Sequence, residues 1–165
     1  MYRWIVFTHV LAVFGFLIGH GASAAVIFRL RRERDLNAIR VLLDLSRRAN
    51  GVANACLLLL IVAGVAAGFM GGWWGQYWIW TALGVLVLIS VAMFAIGSGP
   101  LMRIRQAVDP EEVARMKPDR AATTHQAPTE QELARLLAAT RPMLVTVIGA
   151  GGLAIVLWLM MFKPF

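Results

Sequence analysis

The chain has 165 residues, of which 59% are hydrophobic and 15% are charged, and its formal net charge is +7. Soluble domains contain about 45–50% apolar and about 25% charged residues, so this composition excludes a disordered chain, a disulfide scaffold and an ordinary soluble enzyme. The basic residues lie between apolar blocks, which is typical of membrane topology rather than of nucleic-acid binding. We therefore expect an integral membrane protein whose surroundings are the lipid bilayer and which binds no nucleic acid.

Four stretches are long and apolar enough to cross a bilayer as helices. A span needs about 20 mostly apolar residues, and none of the four contains Asp, Glu, Lys or Arg. They cover residues 4–28, 51–70, 77–101 and 142–162. We predict an all-α fold, a four-helix transmembrane bundle that forms one domain over residues 1–165. Short cytoplasmic amphipathic helices and a cytoplasmic linker, at about 103–141, are expected to accompany it.

The distribution of basic residues predicts the orientation. Seven arginines lie between the first and second spans and seven basic residues lie between the third and fourth, against only Arg3 and Lys163 on the other side. By the positive-inside rule, both basic loops are cytoplasmic and both termini are outside. The tryptophans agree, because all six fall near the predicted outer ends of the spans, as in an aromatic belt: Trp4, Trp73, Trp74, Trp78, Trp80 and Trp158.

Two segments near the first span allow alternatives. Residues 22–24 have the small-x-small form of a signal cleavage site, but the apolar run is longer than a signal core, so we expect no cleavage. Residues 35–48 form a basic amphipathic stretch that either lies along the inner leaflet or lengthens the second span.

Helix breakers and caps organise the second half of the chain. Pro100, with its neighbouring glycines, is predicted to end the third span, and residues 109–112 are predicted to open a short helix. Residues 118–128 have the composition of an exposed linker. Thr129 and Glu132 then form a capping box before another short helix, and Pro142 marks the entry to the last span.

Small residues recur at intervals that favour close helix packing. In lipid, such residues let two helices approach each other. They are Gly15, Gly19 and Ser23 on the first span, Gly64 and Gly68 on the second, and residues 149–152 on the last. We expect them to serve packing within the bundle, and a homodimer face is the alternative.

Two of the three histidines, His9 and His20, lie inside the first span. They are 11 residues apart, which is about three turns or about 16 Å along a helix, so they share one face. Polar residues inside a membrane usually face the bundle interior or a functional path. Because di-haem membrane cytochromes present axial ligands in this way, His9 and His20 are candidate ligands of haem b.

A haem at these histidines needs a further ligand or an incomplete coordination shell, because the other spans contain no histidine and His125 lies in the linker. The alternatives are a five-coordinate iron, a histidine from another subunit, or ligation by one of the methionines Met93, Met160 and Met161. A plainer hypothesis is that each imidazole hydrogen-bonds a hydroxyl or carbonyl of a neighbouring helix. Contact with another metal or with a quinone is a third.

The uncharged loop at residues 71–80, GGWWGQYWIW, is dense in aromatic residues. An anchor at the membrane interface explains this composition most simply. A flat apolar pocket for a quinone, carotenoid or porphyrin is the alternative.

Several segments together resemble a bacterial family of four-span membrane proteins that is catalogued as domain of unknown function 2269. The segments are residues 20–35, 42–50, 64–80 with GFMGGWW, the RPMLV that opens the last span, and 158–165 with FKPF. The chain is more distantly similar to copper-resistance-D-like membrane domains and to HemJ-type protoporphyrinogen oxidases, which also place a histidine in the first span. In this chain that histidine falls at His9. The resemblance implies four spans in the inner (plasma) membrane of a bacterial cell and a link to haem, and it names no reaction.

Three functional hypotheses follow from these features. The leading one is a non-catalytic structural or accessory subunit, in a larger membrane complex or a homodimer, because no catalytic constellation is evident. The second is a b-type haem or redox protein that uses His9 and His20. The third is a permease for a neutral or metal-bound solute, although the spans lack the intramembrane carboxylates and lysines that coupled transporters use.

Overall fold

The computed structural model describes residues 1–109 and 129–164, and its regular elements in these ranges are helices. We number them α1 (Tyr2–Leu30), α2 (Leu36–Gly71), α3 (Tyr77–Met93), α4 (Gly99–Val108), α5 (Glu130–Ala138) and α6 (Pro142–Phe162). A 3-10 turn, Trp73–Gly75, precedes α3, and a π-helical segment, Phe94–Ser98, joins α3 to α4.

Four helical stretches are long and apolar enough to cross a membrane, with mean hydropathies of 2.0 to 2.5 in their most apolar windows. They are Tyr2–Leu30, Leu36–Gly71, Tyr77–Val108 and Gln131–Phe162. The predicted all-α four-helix bundle is confirmed, and the chain has the architecture of a multi-pass membrane protein.

The bundle is built around an antiparallel pair, α1 and α2, which share the most extensive interface. Contacts between them follow an antiparallel order, in which residue numbers rise along α1 and fall along α2. They join His9 to Leu60, Gly15 to Cys56, Gly19 to Ala53, and Ser23 to Ser46. The hydroxyl oxygens of Ser23 and Ser46 are 3.2 Å apart and both residues are buried. A single register therefore holds from His9 to Ser23 of α1, with small residues or hydrogen bonds at these four contacts.

Small residues are required where α1 and α2 cross. A β-carbon added to Gly19 would lie 2.8 Å from the carbonyl oxygen of Ala49, closer than real β-carbons approach. In lipid, helix association depends on such close van der Waals packing, since no hydrophobic force drives helices together. The predicted packing role of Gly19 within the bundle is confirmed.

The second pair consists of α3 and α6, which pack through Ala82, Val156 and Leu159. Gly152 of α6 makes room for Ile89 of α3, because a β-carbon at Gly152 would overlap the Ile89 side chain. The two pairs meet where α1 contacts α6. Only 6% of the most apolar window of the stretch that begins with α3 is buried, against 22–33% for the other three stretches, so the bundle covers this stretch least.

One end of the bundle carries the basic segments, and we call it the basic end; it comprises residues 29–48, 99–109 and 129–142. A cluster of buried apolar side chains joins α1, α2, α4 and α5 here: Val26, Leu30, Ile39, Leu43, Ile104, Val108, Leu133 and Leu137. Two arginines reinforce it, because Arg40 of α2 donates to the carbonyl of Val108 and Arg105 of α4 donates to the carbonyl of Leu43. We call the opposite end, with the six tryptophans, the tryptophan end.

The prediction that Pro100 ends the third helical stretch is wrong. The stretch continues from α3 through the π-helical segment into α4 and ends at Val108. A proline inside an α-helix removes one hydrogen bond and clashes with the carbonyl four residues earlier. Here the π-helical turn at Phe94–Ser98 precedes it and alters the backbone spacing at that point.

The alternatives for residues 35–48 are settled, since this stretch is the first part of α2. Asp35 caps the helix by accepting a hydrogen bond from the backbone N–H of Asn37 at 3.0 Å. With 36 residues, α2 is about 54 Å long and extends well beyond a hydrocarbon core of about 30 Å.

Of the capping box expected at Thr129 and Glu132, the hydrogen bond to the Thr129 side chain is present, and Pro142 begins the last helix as expected. Thr129 accepts a hydrogen bond from the backbone N–H of Glu132 at 3.3 Å, and Pro142 occupies the first turn of α6. The helix predicted at 109–112, the linker at 118–128 and His125 lie almost entirely outside the described residues.

Candidate functional site

His9 is fixed against α2 by a hydrogen bond. Its Nδ1 lies 2.9 Å from the carbonyl oxygen of Leu60. A carbonyl only accepts hydrogen bonds, so Nδ1 carries the proton and, in the neutral ring, Nε2 keeps a lone pair. Gly64 makes room for the ring, because a β-carbon there would lie 3.0 Å from Cε1 of His9.

His20 contacts a different helix. Its ring stacks on Phe16, with centroids 5.9 Å apart and planes 3° from parallel. Its Nε2 is buried and has no hydrogen-bond partner among the described residues. This nitrogen faces Gly149 of α6 so closely that a β-carbon on Gly149 would overlap it.

The two histidines therefore lie on one face of α1 but do not form a common site. His9 contacts α2 and His20 contacts α6, which means that their shared face is directed between these two helices. Along the α1 axis they are about 16 Å apart, as their spacing predicts. The sequence identified the face, and it contained no signal for which neighbour each ring would contact.

The two imidazole rings differ in how well they are placed to act as ligands of a haem iron. Metal-bound histidines commonly donate one ring N–H to a carbonyl and bind the metal through the other nitrogen, and His9 has this arrangement with Leu60. His20 does not fit, because the backbone of Gly149 occupies the space in front of its Nε2. Among residues 1–109 and 129–164, no three His, Cys, Asp or Glu side chains cluster as metal ligands.

The methionine candidates also separate by depth. Met93 ends α3 toward the basic end, whereas His9 lies in the half of α1 nearer the tryptophan end. Met160 and Met161 lie in the last turn of α6, which is at the tryptophan end. Met161 is exposed, and Met160 packs against the cluster of Ala82, Val156 and Leu159 between α3 and α6, whereas His9 packs against α2.

The aromatic loop at the tryptophan end is a packed cluster. Gly72 adopts a left-handed conformation with φ of 66°, which allows the chain to reverse after α2. Trp73 then packs edge-on against Trp78 at 5.2 Å, and Trp74 contacts Phe69 and Trp80. The Nε1–H of Trp80 donates to the carbonyl of Trp74 at 3.1 Å.

The six tryptophans of the predicted aromatic belt therefore divide into exposed residues and residues packed within the bundle. Trp4, Trp80 and Trp158 are exposed, as expected of membrane-interface anchors, but Trp78 is only 6% exposed. Trp78, Trp73 and Trp74 instead support the connection between α2 and α3. Composition alone does not distinguish an anchoring tryptophan from a packed one.

A cleft of about 280 Å³ opens beside this cluster. Its lining residues are Gly71, Gly72, Trp73, Gln76, Trp78 and Lys163. The ammonium of Lys163 stands 3.2 Å from the centroid of the Trp73 ring, at cation–π distance. In the sequence, Lys163 is a topology marker and part of the FKPF segment, and no local pattern predicts its contact with Trp73.

Comparison with protein-family models, curated protein sequences and solved structures finds no match to this chain. The resemblance to the four-span family stays a prediction. Function is therefore argued from the geometry of the chain itself.

Proposed function

We propose that this protein is a non-catalytic accessory subunit of the bacterial inner membrane, with its basic end in the cytoplasm and both termini outside. The observation that carries the proposal is the low burial of the stretch that begins with α3. Only 6% of its most apolar window is buried within the bundle. Leu88 and Val91 are 69% and 61% exposed on this surface. A spanning helix that packs mainly on one neighbour has room for another membrane protein or a second copy of the chain.

The rest of the bundle supports a structural role. Polar groups within the spans are used to join helices, as in the bond from His9 to Leu60 and the pair of Ser23 with Ser46. Such bonds between spans are typical of helix packing in membranes. The arginine bonds of Arg40 and Arg105 fix the basic end in the same manner.

Photo-crosslinking in intact membranes tests this proposal. A photoreactive amino acid at Leu88 or Val91 of α3 should yield one discrete protein adduct. The same probe at Leu58 of α2, which is 65% exposed, is the matched control and should yield only lipid adducts. An absence of discrete adducts from both α3 positions would contradict the proposal.

A second candidate function, binding of haem b, has one specific observation in its favour. The bond from His9 Nδ1 to Leu60 leaves Nε2 as the nitrogen with a free lone pair. A haem there would supply one-electron redox chemistry, and His9 would hold it while Leu60 fixes the ring.

Absorption spectroscopy tests this candidate. Protein expressed with ample haem should show a Soret band that His9→Gln abolishes and His20→Gln leaves intact. No Soret band in the unmodified protein would end the haem hypothesis, and loss of the band only in His20→Gln would overturn the assignment to His9.

A further inference from the structure

The cleft at the tryptophan end has the features of an anion site. Lys163 supplies a full positive charge and Gln76 supplies an amide, while Trp73 and Trp78 form apolar walls. The indole of Trp73 holds the ammonium on one side. An ammonium carries three donors, so this arrangement leaves donors for a ligand in the cleft.

Within residues 1–109 and 129–164, the acidic side chains lie at the basic end, away from Lys163. All nine Asp and Glu residues fall between residues 33 and 132, in the segments joining the first span to the second and the third span to the fourth. At the basic end, ion pairs join Arg29 to Glu33 and Arg48 to Asp44. The charged side chains that the structure describes at the tryptophan end are Arg3 and Lys163, and both are positive.

The backbone around the cleft favours the same ligand charge. Helix α3 starts at Tyr77, directly after Gln76, and no side chain caps its first turn. The unpaired N–H groups and the dipole at a helix start attract negative charge, adding to the field of Lys163. A β-carbon on Gly72 would meet nothing within 4 Å, so this residue leaves its side of the cleft open, whereas the Trp73 ring packs directly against Gly71.

The position of the cleft indicates where the anion comes from. Exposed tryptophans such as Trp80 and Trp158 mark the level of the lipid headgroups. Lys163 follows the last residue of α6, so its ammonium lies near that level. We propose that this cleft binds the phosphate of an anionic phospholipid, with Lys163 as the charged contact and Trp73 and Trp78 against the glycerol and upper acyl chain.

Native mass spectrometry of the full chain in a mild detergent tests the proposal. Titration with short-chain phosphatidylglycerol should give one bound lipid at low concentration, and phosphatidylcholine should bind more weakly. Lys163→Gln should weaken phosphatidylglycerol binding by about tenfold, the scale expected for a lost hydrogen bond between charged groups. Lys163→Arg should retain it.

Arg3→Gln is the matched control, because it removes the same charge at the same end of the bundle but outside the cleft lining. It should leave lipid binding unchanged. Trp73→Leu should weaken binding while Trp4→Leu, which alters an exposed tryptophan, should not. Unfolding temperatures of all variants, measured without lipid, identify any loss that comes from misfolding.

Three outcomes would overturn the proposal. Equal phosphatidylglycerol affinity in Lys163→Gln and the unmodified protein would remove the cleft from the explanation. An equal loss in Arg3→Gln and Lys163→Gln would show diffuse attraction by net charge. Displacement of the lipid by millimolar inorganic phosphate would assign the cleft to a free anion instead of a lipid headgroup. The lipid proposal is independent of whether α3 has a protein partner.

Discussion

Gly19 of α1 and Ala53 of α2 touch backbone to backbone, since a β-carbon on Gly19 would lie 2.9 Å from the amide nitrogen of Ala53. The neighbouring carbonyl of Ala49 is equally close to that position. Neither group is the flexible end of a side chain, so neither can move without a shift of α2 itself. Among the three glycines of α1, Gly19 is therefore the one where added volume is least tolerated.

We predict that Gly19→Leu destabilises the protein by about 2 kcal/mol or more, because overpacking forces a backbone shift. The check is the unfolding temperature in detergent. Gly21→Leu is the control, since Gly21 is exposed and a β-carbon there meets nothing within 4 Å. Gly68→Leu should fall between the two, because its new side chain meets the Trp74 ring at 3.2 Å. Equal unfolding temperatures for the Gly19 and Gly21 variants would contradict the interface.

Gly149→Ala should destabilise the contact between α1 and α6 by about 1–3 kcal/mol, the usual cost of overpacking. The added β-carbon would overlap Nε2 of His20. Gly151→Ala is the matched control, two residues along the same helix, where a β-carbon meets nothing within 4 Å.

The double variant His20→Ala with Gly149→Ala identifies the cause of that loss. If His20 is the obstacle, adding His20→Ala should recover part of the stability that Gly149→Ala loses. A double-mutant cycle of unfolding in detergent measures this recovery. Additive losses in the two single variants would show that the alanine disturbs α6 for another reason.

Cysteine labelling tests the orientation. In a Cys56→Ala background, Gly75→Cys should react with a membrane-impermeant maleimide added to intact cells, because Gly75 is exposed at the tryptophan end. Thr123→Cys, in the predicted cytoplasmic linker, should react only after the membrane is opened. The reverse pattern would place the basic end outside.

Acid should weaken the turn between α1 and α2 through Glu33. The backbone N–H groups of Arg34 and Asp35 donate to its carboxylate, which holds the pKa of Glu33 below its usual 4.5. A carboxylate with a lowered pKa contributes stability that is present above the usual value and is lost as the pH falls through the folded-state value. The unfolding temperature of the unmodified protein should therefore fall more steeply below about pH 4.5 than that of Glu33→Gln. Parallel pH profiles would show that Glu33 contributes nothing.

The spans and the small-residue contacts could be predicted from sequence because both depend on local patterns. Apolar length determines a span, and a spacing of four places Gly15, Gly19 and Ser23 on one side of α1. The structure confirms that this side meets α2. Pro100 misled the prediction because the local rule does not include the π-helical turn that precedes it.

The candidate sites depended on partners that are distant in sequence. His9 and His20 differ by only about 20° around a helix of 3.6 residues per turn, yet one contacts α2 and the other contacts α6. Lys163, which itself adopts a left-handed conformation with φ of 45° at the end of α6, contacts Trp73 across 90 residues of chain. Periodicity gives the face of a helix, whereas the identity of the neighbour follows from how the helices assemble.

The small buried share of α3 has a consequence for biosynthesis. Helix α3 is made before its partner α6, and residues 94–141 separate the two along the chain. Until α6 is made, lipid must cover most of the apolar surface of α3, and the α3 stretch has the highest mean hydropathy of the four, 2.5. The first helix has the lowest, 2.0, and contains both intramembrane histidines, but α2 follows it after a turn of only a few residues. Helix α3 thus combines the highest mean hydropathy with a packing partner that is far away along the chain.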